Sequence, residues 1–245
     1  MTAFEIRIRR KCFPALDRAP ARVALQDLRV DLAPGEFVCV FGPSGCGKTT
    51  LLNIVAGLDR DFEGRVTPAP GAPAGPRIGY VFQSPRLLPW LTVLQNVELV
   101  LGDDPRPALV AGQLLGACGL ADAHHVTASR LSMGMSRRVA LARAFAVAPA
   151  LLLMDEPFVS LDEPAARRLR RLLVEVWRSR PTNVLFVTHD LAEAIQLADR
   201  ILFLSAAPGR VVADVDVDLP REKRGDRDQV EAWRAALPRD IIKGT

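Results

Sequence analysis

The chain opens on alternation. "FEIRI" from Phe4 and "VALQDLRVDL" from Val23 switch between apolar and polar positions at the period of half-buried strands. "APGE" supplies a turn, and "FVCVFG" is then an uninterrupted apolar run, as expected of a strand covered on both faces. "TTLLNIVAG" reads as a buried helix. The proline- and glycine-rich "RVTPAPGAPAGPRIGYVFQ" reads as an exposed loop leading into another short strand. From about Leu91 to Val147 strand-like runs disappear, and Val93, Val97 and Val100, then Leu141 and Phe145, fall at helical spacing. The strand signal returns in "LLLMDE". An amphipathic helix with an arginine-rich face follows from Asp162 to Trp177, then the strand "NVLFVTH" and the helix "LAEAIQLAD". Buried strands alternating with helices predict an α/β fold with a mostly parallel sheet covered on both faces. No internal repeat is visible.

Composition narrows this only slightly. With 245 residues, 49% of them hydrophobic, the chain suits one large domain or two small ones. The excess of 32 basic over 28 acidic residues leaves +4, a weak argument for nucleic acid. Just four residues are lysine, at 11, 48, 223 and 243, and most of the arginines are expected on solvated surface. Cys12, Cys39, Cys46 and Cys118 form no CxxC pair, which predicts reduced thiols in a reducing compartment. "MTAFEIRIRRKCF" lacks a leader's apolar block, and no uncharged apolar run reaches the ~18 residues of a membrane span. Any membrane role is therefore expected to be peripheral.

The chemistry concentrates in two places. "GPSGCGKT" matches GxxxxGK[ST] between a buried strand and an apolar helix, the context that gives this motif meaning. Gly42, Pro43, Ser44, Gly45, Cys46 and Gly47 form a loop whose backbone N–H groups can converge on phosphate oxygens. Lys48 reaches the terminal phosphates, and Thr49, followed by Thr50, offers a hydroxyl to Mg²⁺. The order of the glycines does not fit a dinucleotide fold. In "LLLMDEPF" a buried strand ends in two carboxylates facing the same sheet edge as the phosphate loop. Asp155 is suited to Mg²⁺ and Glu156 to polarising an attacking water, assistance typically worth about 10²–10⁴ in rate. Gln83 and His189 also end strands; taken alone, each reads as a structural polar residue, a reading that the phosphate site reverses for His189.

In their order and spacing, GPSGCGKT, YVFQ, LSMGM, LLLMDEP, SLD and VTHD resemble the ATP-binding cassette (ABC) ATPases over about residues 4 to 220. The resemblance implies a P-loop NTPase (RecA-like) core, about 4–85 and 148–220, with an antiparallel β subdomain and an inserted α-helical subdomain at about 86–147. A charged, mobile tail at 221–245 would follow. It implies ATP and Mg²⁺ as ligands, with Thr49, Gln83 and Asp155 toward the metal and Glu156, His189, Gln83 and Lys48 as catalytic residues. Gln83 would be the Q-loop residue, Asp162 part of the D-loop and His189 the γ-phosphate switch. Phe13 would be an aromatic against adenine, although a core phenylalanine fits the sequence equally well.

"LSMGM" resembles the signature LSGGQ, through which Ser132 and the Gly134 N–H would meet the γ-phosphate held by a second copy of the chain. Met133 and Met135 depart from that pattern. Met135 matches the LSGGM common in nitrate, sulfonate and taurine importers. Met133 packs aside harmlessly if its backbone is ordinary and costs stability of the closed dimer if that position needs positive φ or close backbone approach. "LLPWLTV" with Trp90, and "LSAAPGRVVADVDVDLPR", are similar to the same importer group. The implied protein is an ATP-hydrolysing subunit at the cytoplasmic face of the bacterial inner membrane. It would drive separate transmembrane permease subunits, with a periplasmic solute-binding protein as an indirect partner and no nucleic acid. Two alternatives are a soluble cassette ATPase acting on nucleic acid or ribosomes and a regulatory nucleotide-binding module with a crippled signature. Nitrate, sulfonate, taurine, bicarbonate or a pyrimidine precursor would all suit such a subunit.

Overall fold

The computed structural model describes residues 3–15, 20–68 and 75–243. In chain order the elements are β1 (Phe4–Phe13), β2 (Arg22–Leu32), β3 (Phe37–Phe41), α1 (Lys48–Val55), β4 (Glu63–Pro68), β5 (Ile78–Val81), α2 (Val93–Glu98), α3 (Pro107–Ala117), α4 (Met133–Ala146), β6 (Leu151–Asp155), α5 (Glu163–Ser179), β7 (Asn183–Thr188), α6 (Leu191–Leu197), β8 (Arg200–Leu204), β9 (Val211–Asp216), α7 (Arg227–Ala236) and α8 (Arg239–Lys243). They group into two compact units, 1–74 with 183–245, and 75–182.

The first unit contains two sheets. Antiparallel strands in the order β2-β1-β4 bury Phe4, Ile6 and Ile8 on one face of β1 while Glu5 and Arg7 stay wetter, the alternation read from the sequence. The stretch read as a loop from Arg65 is instead partly strand: β4 pairs with β1 from Glu63 to Pro68. Val66 and Thr67 favour the extended backbone, and Pro68 ends this strand at the sheet's edge. The rest of that loop, 69–74, lies outside the described residues. The second sheet of this unit runs β7-β3-β8-β9, with β3 parallel to both neighbours and β9 antiparallel at the edge. Every residue of β7 and all but the last of β3 are buried, so both are apolar runs without alternation.

Residues 221–243, the described part of the expected mobile tail, carry ordered structure. Arg224 is buried and donates to the carbonyls of Leu219, Ala198 and Val217, while Asp226 caps α7 and Val230 is buried. A run of charges hid an arginine whose five N–H donors tie the end of the chain to the turn after α6.

The second unit places β5 parallel to β6 and packs α4 against α2, α3 and β5. Thr92 and Gln95 form a capping box at α2, and Asp162 caps α5, with Pro164 in its first turn. Buried Asn96 accepts from the Leu88 N–H (2.8 Å) and donates to the carbonyls of Leu88 (3.1 Å) and Thr92 (3.0 Å). This ties 88–92 onto α2 and leaves Trp90, 72% exposed, on the surface. Among the described residues no helix is long and apolar enough to cross a membrane.

Candidate nucleotide site

The phosphate loop is built from backbone. Gly45 and Gly47 adopt φ of 78° and 104°, left-handed conformations that side chains resist. At Gly47 there is also no room: a Cβ would lie 2.6 Å from Leu25 Cδ2 and 2.9 Å from the Ala24 carbonyl oxygen. Gly47 caps α1 without a side-chain hydrogen bond, and no acidic residue occupies the first turn, so no carboxylate of that turn opposes the positive end of the helix. Lys48 is buried and folds back over the loop, donating from Nζ to the carbonyls of Gly42 (2.8 Å) and Pro43 (3.0 Å). Pro43, Ser44, Gly45 and Thr49 are exposed, Thr50 is half-buried, and Cys46 is buried beneath them.

His189 belongs to the same unit and leaves the same sheet edge. β3 and β7 are parallel neighbours with Phe41 opposite Thr188, so the phosphate loop and His189 each begin one residue beyond a matched pair. The turn is held by Thr188, whose hydroxyl donates to Glu193 Oε2 (2.7 Å) and accepts from the Asp190 N–H (3.0 Å), while Asp190 caps α6. His189 is exposed. Phe13, at the end of β1, is 42% exposed, with Lys11 Nζ 4.8 Å from its ring centroid; its surface placement sets aside the core alternative. Directly across the β1–β2 ladder from Phe13 stands Arg22, which donates from Nη2 to the Gly45 carbonyl.

The remaining site residues lie in the second unit. Asp155 is the buried last residue of β6, and Glu156 follows half-buried with φ of 42°. Parallel pairing of Val81 with Met154 brings Gln83, two residues beyond β5, to the same strand-end edge as Glu156. Gln83 is exposed, and Arg143 of α4 fixes the loop after it by donating to the carbonyls of Pro85 (2.8 Å) and Arg86 (2.9 Å). Burial, with the negative charge of Asp155 next, pushes the nearby Tyr80 phenol up.

Ser132 caps α4, its hydroxyl accepting from the Met135 N–H (3.3 Å), and the space around Gly134 is open. Asp162 accepts from the Ala165 N–H (2.7 Å). Ser132, Gly134 and Asp162 together line one groove of about 650 Å³, with Arg138 and Arg168 beside them. Met133 is the first residue of α4 and not among the residues with positive φ, so its backbone is the ordinary one.

The expectation that arginines sit on solvated surface fails at several places. Arg137, Arg170 and Arg224 are buried, and Arg143 is largely so; burial pulls Arg137, Arg143 and Arg224 below the ordinary guanidinium value, where they remain protonated. Arg137, Arg143 and Arg224 donate to backbone carbonyls of loops, a pairing that leaves no local motif, whereas Arg170 pairs with the Glu163 carboxylate at 2.8 Å. The only sequence signal was Arg137 and Arg143 sitting six apart on the one helix that also carries the signature.

A glycine-built phosphate cradle at a helix start and a carboxylate pair ending a buried strand define a nucleotide-hydrolysing P-loop protein. Comparison with known proteins specifies it further. The ABC transporter family matches residues 25–159. The aliphatic sulfonates import ATP-binding protein SsuB 2 of Burkholderia cenocepacia is 45% identical over 218 residues, covering 88% of this chain and 81% of that protein. SsuB of Bacillus licheniformis is 44% identical over 199 residues, covering 80% and 78%. Among solved structures, the dimeric post-hydrolysis state of the ATP-binding cassette MJ0796 bound to ADP and Pi has a TM-score of 0.75 at 29% identity, covering 87% of this chain and 98% of that one. The chain belongs to the ABC transporter family, in which it is an ATP-binding cassette that hydrolyses ATP.

Proposed function

We propose that the chain is the ATPase subunit of an importer for a small oxyanionic solute of the sulfonate kind. On this reading 4–220 is the cassette, 86–147 its helical insert and 221–245 an appendage. The observation that carries the nucleotide assignment is the loop of Gly42–Gly47 with Lys48 folded over it at an uncapped helix start. Gly45, Gly47 and the first turn of α1 receive the β- and γ-phosphates, Lys48 neutralises their charge, and Phe13 carries the adenine. His189 and Gln83 orient the γ-phosphate and the attacking water, and Glu156 accepts a proton from that water.

Thr49, Gln83 and Asp155 provide oxygen donors, the chemistry a hard cation such as Mg²⁺ prefers, and no group of three or more His, Cys, Asp or Glu among the described residues forms a cage of its own. A small cation that keeps oxygens of the nucleotide and water in its shell suits that donor set; bound, it would neutralise charge on the transferring phosphoryl group.

Ser132 and Gly134, opening a helix onto a groove, are suited to the γ-phosphate of a second copy, so that two chains enclose two nucleotides. Trp90, displayed by the Asn96 tie, is suited to a permease subunit. The chain would then act at the cytoplasmic face of the bacterial inner membrane as a peripheral subunit, with a periplasmic solute-binding protein upstream. The names of the SsuB relatives support import and the sulfonate class.

Glu156→Gln tests the catalytic assignment: turnover should fall by about 10²–10⁴ while ATP binding persists and an ATP-dependent dimer accumulates on size exclusion. Wild-type turnover in that variant would remove Glu156 from the role. Recovery of a polytopic permease with the tagged chain from native membranes tests the importer assignment, and recovery of soluble partners alone would overturn it.

A further inference from the structure

We infer that Arg137 is a positioning residue for Glu156, a mechanical link between the signature helix and the hydrolytic carboxylate of the same chain. The inference rests on the Glu156 assignment proposed above. Arg137 lies on α4, one turn beyond the Ser132 cap, and is buried. Its Nη2 donates to the Val159 carbonyl at 2.9 Å and its Nη1 lies 3.5 Å from the Glu156 carbonyl. These two residues are the ends of one turn, closed by the Val159 N–H donating to the Glu156 carbonyl at 3.2 Å. The guanidinium therefore spans both ends of the segment that sets the direction of the Glu156 side chain.

That segment needs holding. Glu156 and Ser160 carry side chains yet adopt φ of 42° and 63°, and residues in such regions persist when their surroundings over-determine them. Phe158, between them, is buried, with the Arg170 guanidinium 5.7 Å from its ring centroid, so the loop is fixed from α4 on one side and α5 on the other.

Stability alone does not account for an arginine at 137. The adjoining small cavity is lined by Val81, Leu141, Met154, Phe158, Leu169 and Leu173, and Arg137 Nε reaches no acceptor among the described residues. A methionine would pack there without a buried unpaired donor or a desolvated charge. What the guanidinium adds is two directed contacts to the turn carrying Glu156, from the helix whose first residues form the signature. Occupation of the signature is thereby coupled to the aim of the carboxylate.

The test compares Arg137→Met, Arg137→Gln and Arg137→Lys with the wild-type full chain, measuring kcat, KM and the equilibrium Kd for Mg-ATP, with Glu156→Gln and the Arg137→Met/Glu156→Gln double variant in parallel. Arg137→Met should lower kcat about 10- to 100-fold with Kd and KM within about threefold, the size expected from misplacing one reacting group. Gln and Lys, each keeping a donor, should recover part of the loss. In the Glu156→Gln background Arg137→Met should cost nothing further, because both changes act through the same group. A kcat within twofold of wild type for Arg137→Met, or a full additional loss in the double variant, overturns the inference. Should Arg137→Met fail to fold, Arg137→Gln decides by the same kcat-against-Kd criterion. Wild-type turnover in Glu156→Gln would sink the underlying catalytic assignment instead, which a loss confined to Arg137 variants distinguishes.

Discussion

The phosphate loop and the loop after β6 both hold backbone in the left-handed region, and they do so by opposite means. The phosphate loop places glycine wherever φ is positive, at 45 and 47, and the surrounding atoms crowd in until no side chain fits at 47. The loop after β6 places a glutamate and a serine there, and recovers its conformation from outside, through Arg137 on α4 and the buried ring of Phe158. The difference follows from what each loop presents. On the proposed function the first offers N–H groups to an anion and needs no side chain, so glycine there forfeits no functional group, at the entropic cost any glycine carries. The second must carry a carboxylate, so glycine is excluded at 156 and the strain has to be offset by packing.

The comparison breaks most sharply at Gly47. Gly47→Ala would set a methyl 2.9 Å from the Ala24 carbonyl oxygen, which belongs to β2 and cannot step aside, and 2.6 Å from Leu25 Cδ2. The residue's φ of 104° adds strain of about 1–2 kcal/mol, so the loop must re-form. ATP affinity should fall by at least about 100-fold, the loss expected when several charge-assisted phosphate contacts disappear together. Titration of Mg-ATP against the variant decides it: affinity within threefold of wild type would mean the cradle does not depend on that close approach.

The same contrast explains what could be read from the residues alone. Gly42 to Thr49 was legible because its geometry demands particular residue types at adjacent positions, and a buried strand and an apolar helix flank it. LLLMDE and VTH were legible because strands buried on both faces are unbroken apolar runs. The edge elements were not. β4 hid in a proline-rich stretch because an edge strand tolerates Pro68, and 221–243 looked like tail because Arg224 satisfies backbone carbonyls that lie 5 to 26 residues away. Arg137, Arg143 and Arg22 escaped for the same reason: a guanidinium bonding to a carbonyl leaves no trace of its partner's side chain. Phe13 and Met133 each had two sequence readings; exposure sets aside a core role for Phe13, and an ordinary φ sets aside backbone strain at Met133.

If the loop after β6 is strained by necessity only at Glu156, relief at its far end should be nearly free. Ser160→Gly removes the Cβ at a φ of 63°, a gain of about 1–2 kcal/mol, partly offset by the greater freedom of glycine in the unfolded chain, about 0.5–1 kcal/mol. The melting temperature should rise by about 1–3 °C for a chain of this size. A fall of more than about 2 °C would show that Ser160, which lines the groove beside Ser132 and Asp162, makes contacts that outweigh its backbone strain.

The smallest effect is expected where the sequence departs most visibly from the family pattern. Met133 stands where the signature has glycine, so the phosphate loop's logic would suggest a position that requires glycine. The loop after β6 suggests the alternative, a side chain accommodated by ordinary means. Three observations favour the second: Met133 is helical, its φ is not positive, and its side chain is 50% exposed at the mouth of the groove. Met133→Gly therefore relieves no strain and removes no buried contact, while glycine weakens a helix interior by about 1 kcal/mol and an opening turn by less. Turnover at saturating ATP should stay within about threefold of wild type. Steady-state hydrolysis by the purified variant is the check. A hundredfold rise would mean that the methionine obstructs the approach of a second chain, a constraint that only the assembled dimer imposes.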